Sequence, residues 1–173
     1  MSAADEDFGL FGDMDIDDIP DDPWFVGAGT YYATCTKFEK IVKKDSSGYA
    51  LVINYTIDEP DSDYHGFTKG DWFNLYPGRS YKDLTADEKQ EVTRMKSRLK
   101  EAFDKTDSEV NSIKADDAVG EPVYLKVIER AGKGEHTGKV FSNIASVLSK
   151  RLFEEQNEGK PDNSMKAAGL SGA

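Results

Sequence analysis

The sequence predicts one mostly-β domain, with five strands and one main helix between the third and fourth strands. Five short stretches are rich in the β-branched and aromatic residues that favour strands. One long stretch with helical spacing interrupts them after the third. A chain of 173 residues can bury one substantial core and is too short to suggest two domains.

The first two strands are separated by a short turn. The stretch GAGTYYATCTKFEKIVKK, residues 27–44, predicts a long strand as far as Val42. DSSG at residues 45–48 predicts a turn, and YALVINYTI at residues 49–57 predicts the second strand. Large apolar side chains alternate in that strand, so the following residues are expected to face the core: Leu51, Ile53, Tyr55 and Ile57.

The third strand, FTKGDWFNLYP, follows the acidic loop DEPDSDYHG of residues 58–66. Gly70 predicts a bulge or a sharp bend in this strand. Trp72 and Phe73 are adjacent, so they must point to opposite faces, and one of them is expected outside the core.

The main helix is predicted to begin after Thr85, which can form a capping box with Glu88. It is expected to end near residues 103–105. Apolar residues at helical spacing then form one stripe, which is expected to pack on the strands: Val92, Met95, Leu99 and Phe103.

The last two strands are predicted from VGEPVYLKVIER at residues 119–130 and KVFSNIASVL at residues 139–148, with a turn between them. Five strands could form a sandwich or another small barrel. A helix between strands three and four is typical of the five-stranded oligonucleotide/oligosaccharide-binding (OB) barrel, and its position favours that fold. The predicted barrel covers residues 27–148, and residues 149–173 are expected to form a short helical turn and a flexible tail.

Negative charge is concentrated at the N-terminus. The net charge is −11, but residues 1–26 alone carry nine carboxylates and no lysine or arginine. This segment is predicted to be a flexible acidic tail. The remaining residues total −2, and within them residues 27–57 total +2 and residues 122–153 total +4. The folded part is therefore compatible with an anionic partner, although the whole-chain pI of 4.7 argues against one.

Catalytic and metal-binding patterns are weak. Cys35 lies within a predicted strand and is expected to be a buried structural residue rather than a nucleophile. GKGEHTGK lacks the spacing of a phosphate-binding loop. The acidic loop 58–66 could bind calcium but lacks EF-hand spacing, so a solvated loop is favoured. We expect no metal, no cofactor and no enzymatic activity.

Aromatic and basic residues are interleaved in the strands and their loops. Aromatic faces stack on bases and cations neutralise phosphates, which is the chemistry of single-strand binding. Many of the aromatic residues must instead fill the core. The candidate nucleic-acid-binding residues are Lys37, Lys43, Lys44, Tyr49, Tyr64, Lys69, Trp72, Tyr76, Arg79, Lys126, Arg130, Lys133 and Lys139.

Several segments resemble a family of phage proteins that are labelled either as a domain of unknown function or as single-stranded DNA-binding proteins. They are GTYYATCTKFEK, GYALVINYTIDEPDSDYHGFTKGDWFNLYP, MKSRLKEAF, AVGEPVYLKVIE and GKVFSNIASV, and the resemblance covers residues 27–148. Family members tend to be encoded near recombination and replication genes. The resemblance implies an OB barrel, single-stranded DNA as ligand and a location in the host bacterial cytoplasm. It assigns no binding residue.

The acidic segment contains DIDDIP, which is similar to the acidic tip of bacterial single-stranded DNA-binding proteins. That tip is C-terminal and ends in a free carboxylate, whereas this one is internal. The segment could bind replication or recombination proteins, compete with DNA for the groove, or act only as a solubility tail. Its candidate partner motif comprises Asp15, Asp17, Asp18, Ile19, Asp21, Asp22, Trp24 and Phe25.

Together these observations predict a non-enzymatic phage protein that binds single-stranded DNA during replication or recombination. The alternative is an acidic interaction protein that mimics DNA or blocks a host factor. No apolar run approaches the roughly 20 residues of a membrane span, and no secretory signal is expected. Self-association is left open.

Overall fold

The computed structural model describes residues 9–20 and 22–158. Residues 1–8, Asp21 and the predicted C-terminal tail from residue 159 onward lie outside the described residues. Within the described part, the chain forms one antiparallel sheet and a main helix, as the sequence predicts.

The sheet contains five strands in the order β3-β2-β1-β4-β5, and every neighbouring pair is antiparallel. Their bounds are β1 Gly29–Val42, β2 Tyr49–Ile57, β3 Thr68–Leu75, β4 Pro122–Ala131 and β5 Val140–Ser149. No ladder of backbone hydrogen bonds joins β3 to β5 within the described residues, so the sheet is open and does not close into the predicted barrel. In place of backbone pairing, hydrogen bonds from the Lys69 side chain to Ser142 link these two strands.

The main helix, α1, spans Ala86–Phe103 and lies between β3 and β4 in the chain. The predicted capping box is confirmed, because Thr85 and Glu88 each accept from the backbone N–H of the other. Asp104 ends the helix in the left-handed conformation, with φ of 54°. Leu99 and Phe103 of the predicted apolar stripe are buried against the sheet. Among the described residues, no helix is both long and apolar enough to span a membrane.

Three shorter α-helices follow α1 in the described residues. They are α2 Asp107–Val110, α3 Ala115–Ala118 and α4 Lys150–Glu158. The short helical turn predicted after β5 is thus a nine-residue helix.

The core lies between one face of the sheet and α1. The alternation predicted for β2 is confirmed, because Leu51, Ile53, Tyr55 and Ile57 are all buried. Cys35 of β1 is also buried, as expected. Phe73 is the buried member of the adjacent aromatic pair and Trp72 the exposed one. The other strands add the following apolar residues: Ala33, Val123, Leu125, Val127 and Val147.

The bulge predicted at Gly70 is wrong. Gly70 pairs directly with Asn54 of β2, and the register shifts lie instead between Cys35 and Lys37 and between Lys126 and Val127. Glycine at this position lets the Asn54 side chain lie close to the β3 backbone, because a Cβ at residue 70 would lie 2.7 Å from Oδ1 of Asn54.

The folded structure begins before the predicted boundary at residue 27. Val26 is fully buried, and its backbone N–H donates to Ser142 Oγ of β5 at 3.0 Å. The end of the predicted acidic tail is therefore built into the fold.

Candidate nucleic-acid interface

The candidate interface is the outer face of the sheet, opposite the core. Outward-pointing residues of β3 and β2 lie side by side in the antiparallel register. Trp72 pairs with Val52, and Gly70 pairs with Asn54. The third pair is Thr68 with Thr56. Most of these side chains are small, so Trp72 stands above its neighbours.

Two indole rings line one cleft on this face. Trp72 is 50% exposed and Trp24, just before β1, is 62% exposed. The cleft has a volume of about 280 Å³ and is lined by Trp24, Val52, Asn54, Thr68, Gly70, Asp71 and Trp72.

A chain of threonine hydroxyls runs along the floor of the outer face. Thr36 donates to the carbonyl oxygen of Asn54, and its oxygen lies 3.0 Å from that of Thr56. Thr56 and Thr68 are likewise 2.9 Å apart. Either oxygen of each threonine pair can be the donor, so the directions of these two hydrogen bonds are not fixed. Thr68 lines the cleft, where its hydroxyl can accept a hydrogen bond from a ligand.

Lys69 holds the Trp24 side of the cleft in place. It was predicted to bind phosphate, but its side chain points inward and the residue is only 7% exposed. Its ammonium donates to the Trp24 carbonyl at 2.9 Å and to the carbonyl and hydroxyl of Ser142 at 2.8 and 2.9 Å. Burial lowers the Lys69 pKa, and the charge of Asp22 partly opposes that change. Lys69 therefore links β3, β5 and the segment before β1, and it has no free N–H to offer a phosphate.

A second cluster of buried polar side chains joins β3 to α1. Tyr55 OH donates to Asp71 Oδ2 at 2.9 Å, and Arg98 Nε forms an ion pair with the same oxygen at 3.0 Å. The Arg98 Nε–H is not aimed at the oxygen, so the contact is ionic rather than an aligned hydrogen bond. Burial raises the Asp71 pKa, and Arg98 opposes the change. Burial also raises the Tyr55 pKa well above its ordinary value. This cluster supports the interface from behind.

The outer face of β1 and β4 carries a second aromatic group. Tyr32 packs edge-on against Tyr124, and Phe153 of α4 stacks on Tyr124 with ring centroids 3.8 Å apart. Beside them is a cleft of about 260 Å³ that includes Lys126. Lys126 is exposed, so it remains available to an anionic ligand.

The β1–β2 hairpin presents four of the predicted residues. Lys43 and Lys44 lie at the end of the hairpin. Tyr49 is 39% exposed, and the Lys40 ammonium lies 4.9 Å from the centre of its ring. Lys37 is exposed and pairs with Glu39 at 3.5 Å, so its charge is partly compensated.

The β4–β5 hairpin carries the remaining basic candidates. Arg130, Lys133 and Lys139 are all exposed. When the Asn143 amide is oriented so that its nitrogen donates to the Ser142 carbonyl, its oxygen accepts from Arg130 Nε at 3.2 Å.

Three predicted residues lie within local networks. Tyr64 is half-buried and packs edge-on against Phe25, Tyr31 and Phe67, so it offers little free ring face. Tyr76 donates to Glu91 at 2.8 Å, and burial with this hydrogen bond raises its pKa to about 12. Arg79 pairs with Glu88 at 3.3 Å. None of the three is as open as Trp72.

Residues 9–20 of the acidic segment are exposed, whereas Asp22 and Phe25 are half-buried. Ile16–Asp18 forms one 3-10 turn, which Asp15 caps by accepting from the Asp17 N–H. Asp22 accepts from the Trp24 N–H at 2.8 Å. Among the described residues, no carboxylate at positions 13, 15, 17 or 18 forms an ion pair. Large apolar side chains in this segment are also exposed: Leu10, Phe11, Met14, Ile16 and Ile19.

Sequence reasoning missed Asn54, Thr68 and Gly70 as parts of the interface and placed Trp24 in a flexible tail. Asn54 could have been found from alternation, since it lies between two predicted core residues and must point outward. The position of Trp24 depends on Lys69, which is distant in sequence. No local signal indicates that contact.

Neither a metal site nor a reactive thiol is evident in this part of the chain. The described residues contain no group of three or more histidine, cysteine and carboxylate side chains arranged to hold a metal ion. Burial raises the Cys35 pKa to about 11, so the thiol stays protonated near neutral pH.

Comparison of the sequence with protein-family models and with curated proteins gives no match.

Proposed function

We propose that this protein binds single-stranded DNA through the outer face of its sheet, without enzymatic activity. The observation that carries the proposal is the pair of exposed indoles, Trp24 and Trp72, in one cleft. Exposed aromatic residues that are grouped on a folded surface indicate a binding site. Stacking of a base on an indole ring stabilises the complex by about 1–3 kcal/mol per base. Every base has a flat aromatic face, so this stacking does not depend on sequence.

Single-strand binding also requires cations near the phosphates, and basic residues at the two hairpins supply them. Lys43 and Lys44 lie at one side of the outer face, and Lys133 and Lys139 lie on the β4–β5 hairpin. Lys126 lies between them, on β4. A strand that crosses the face would meet aromatic rings in the middle and cations at the ends, which suits a base-stacking, phosphate-neutralising mode of binding.

We also propose that the fold is an open relative of the OB type. The strand order agrees with that fold, in which the edges of strands three and five meet. Here Lys69 bridges those edges by hydrogen bonds to Ser142. A role in phage replication or recombination, in the host bacterial cytoplasm, rests on the sequence resemblance.

The acidic segment supports a second, subordinate proposal. Its exposed apolar side chains alternate with carboxylates, and those at positions 13, 15, 17 and 18 form no ion pair in the described structure. Such a segment suits a basic pocket with apolar subsites on a replication or recombination protein. A DNA-mimic or host-factor-blocking role would use the same charge, but the acid lies in one segment rather than across a folded face.

Fluorescence anisotropy with labelled oligo-dT tests the main proposal. We expect binding that weakens with salt, with a log–log slope near −0.7Z for Z of about 3–5 neutralised phosphates. Changing Lys43 and Lys44 to Glu should weaken binding, while the charge-matched Lys82→Glu, Lys114→Glu variant should weaken it much less. Absence of binding at ~50 mM salt, or a flat salt response, would contradict the proposal.

A further inference from the structure

We propose that Asn54 reads the hydrogen-bonding edge of one unpaired nucleobase held in the cleft between Trp24 and Trp72. The inference rests on the proposed function and deepens it, because it names one base-binding subsite and the residue that recognises the base.

The carboxamide of Asn54 is positioned but has no partner. It lies over Gly70, since a Cβ there would be 2.7 Å from its oxygen. Only the backbone carbonyl of Asn54 accepts a hydrogen bond, from Thr36. Among the described residues, the carboxamide itself has no hydrogen-bond partner, and its polar atoms are not shut off from solvent. A half-buried amide of this kind has one acceptor and two donor hydrogens to offer.

The surroundings of this amide suit a flat aromatic ligand with a polar edge. Two indoles and Val52 provide apolar walls, and the polar residues of the lining are Asn54, Thr68 and the largely buried Asp71. Each of the four bases presents a hydrogen-bond donor beside an acceptor on its pairing edge. An amide can match that pair for any base by rotating, so the subsite accepts any unpaired base. In a duplex the pairing edge is already occupied, so the same amide favours single strands.

Substitution of Asn54 by Asp gives a test with a distinctive readout. A carboxylate accepts two hydrogen bonds and donates none. Guanine alone presents two adjacent donors, N1–H and the 2-amino group, on its pairing edge. The variant should therefore acquire a preference for guanine, although its added charge weakens binding to every oligonucleotide.

The experiment compares the affinity for oligo-dT with that for the same oligonucleotide containing one guanine. For Asn54→Asp we expect the ratio to shift toward guanine by about tenfold or more, since one hydrogen bond to a charged group already corresponds to a factor of that size. Asn54→Leu should weaken binding to both oligonucleotides by about three- to tenfold. Gly70→Ala, which displaces the amide without removing it, should resemble Asn54→Leu. Asn111→Asp, which adds the same charge elsewhere, should leave the ratio unchanged.

The outcomes separate this inference from the proposed function. If the wild-type protein binds oligo-dT but Asn54→Asp keeps the wild-type ratio, the inference is overturned and the proposed function stands. Full affinity of Asn54→Leu for oligo-dT would overturn it equally. If the wild-type protein binds no single-stranded DNA, the proposed function fails, and the inference fails with it.

Discussion

Along strand β3, the side chains that point into the core differ sharply from those that point outward. Lys69 and Asp71 point inward and are buried, whereas Trp72 points outward and is half exposed. Soluble proteins usually bury the aromatic residue and expose the charged ones. The two faces of β3 therefore have separate tasks. Inward charges tie β3 to its neighbours, and the outward indole is left free for a ligand.

The inward charges act through specific partners. Asp71 connects β3 to Tyr55 of β2 and to Arg98 of α1. Lys69 connects β3 to Ser142 and to the backbone of Trp24. A buried ion pair adds little net stability compared with apolar residues, but removal of one partner leaves the other buried and uncompensated. Variants of the two faces should therefore separate stability from binding.

The largest effect is expected for Asp71→Ala. The change leaves the Arg98 guanidinium and the Tyr55 hydroxyl without their partner, so the free energy of unfolding should fall by ~3–5 kcal/mol. Urea denaturation measures it. The control is Asp107→Ala, which removes an exposed partner of Lys96 and Lys100 and should change stability little. An equally small effect of both variants would mean that the buried pair is not structurally important.

A smaller effect is expected at alkaline pH from the buried thiol on the inner face. Burial raises the Cys35 pKa from its ordinary value of 9.0 to about 11. The folded chain therefore holds this proton more tightly than the unfolded chain. The resulting stability is fully present below pH 9 and is lost as pH rises through about 11, a loss of ~2–3 kcal/mol.

Urea midpoints of the wild type and of Cys35→Ala between pH 8 and pH ~11 test this prediction. Subtracting the midpoint of the variant from that of the wild type at each pH cancels the contributions of tyrosines and lysines, which titrate in both proteins. The wild type should lose stability more steeply with pH. Parallel curves would indicate that the thiol proton is not held more tightly in the folded chain.

Trp72→Ala should affect binding and spare stability, in contrast to Asp71→Ala. Loss of one stacking surface should weaken oligo-dT binding by ~1–3 kcal/mol, while the urea midpoint stays nearly unchanged. Tyr81→Ala provides the control, because Tyr81 is an exposed aromatic residue that lies outside the strands. If both variants weaken binding equally, exposed aromatic residues act without regard to position.

The smallest effect is expected for Lys126→Gln. Removal of one phosphate contact should reduce the log–log salt slope of oligo-dT binding by about 0.7. Lys82→Gln should leave the slope unchanged, because Lys82 lies in the turn before α1. A change of equal size in both variants would indicate long-range charge effects instead of a phosphate contact at Lys126.

The parts of the fold that sequence reasoning predicted depend on local patterns. The alternation in β2 and the capping box at Thr85 are set by neighbouring residues, and both are confirmed. The inward direction of Lys69 was missed because a lysine among aromatic residues is ordinarily expected to reach solvent. Its partners, Ser142 and Trp24, are far away in the chain. The open edge between β3 and β5 depends on the same non-local contacts.

The residues of the candidate site were likewise predicted only in part. Trp72 was predicted because adjacent aromatic residues in a strand must point to opposite faces. Asn54 was missed because a single asparagine in an apolar strand carries no motif. Its significance depends on Gly70, which faces it across the ladder, and on Trp24, which reaches the cleft from the segment before β1.

The central claim is that the outward indole of β3 contacts single-stranded DNA. The chain has two tryptophans, so Trp24→Phe leaves Trp72 as the only indole, and the backbone carbonyl that Lys69 holds is retained. Titration of this variant with unlabelled oligo-dT, monitored by tryptophan fluorescence, tests the claim most directly. We predict saturable quenching whose midpoint agrees with the anisotropy of a labelled oligonucleotide and moves to higher concentration as salt is added. Binding by anisotropy with no change in Trp72 fluorescence would contradict the claim.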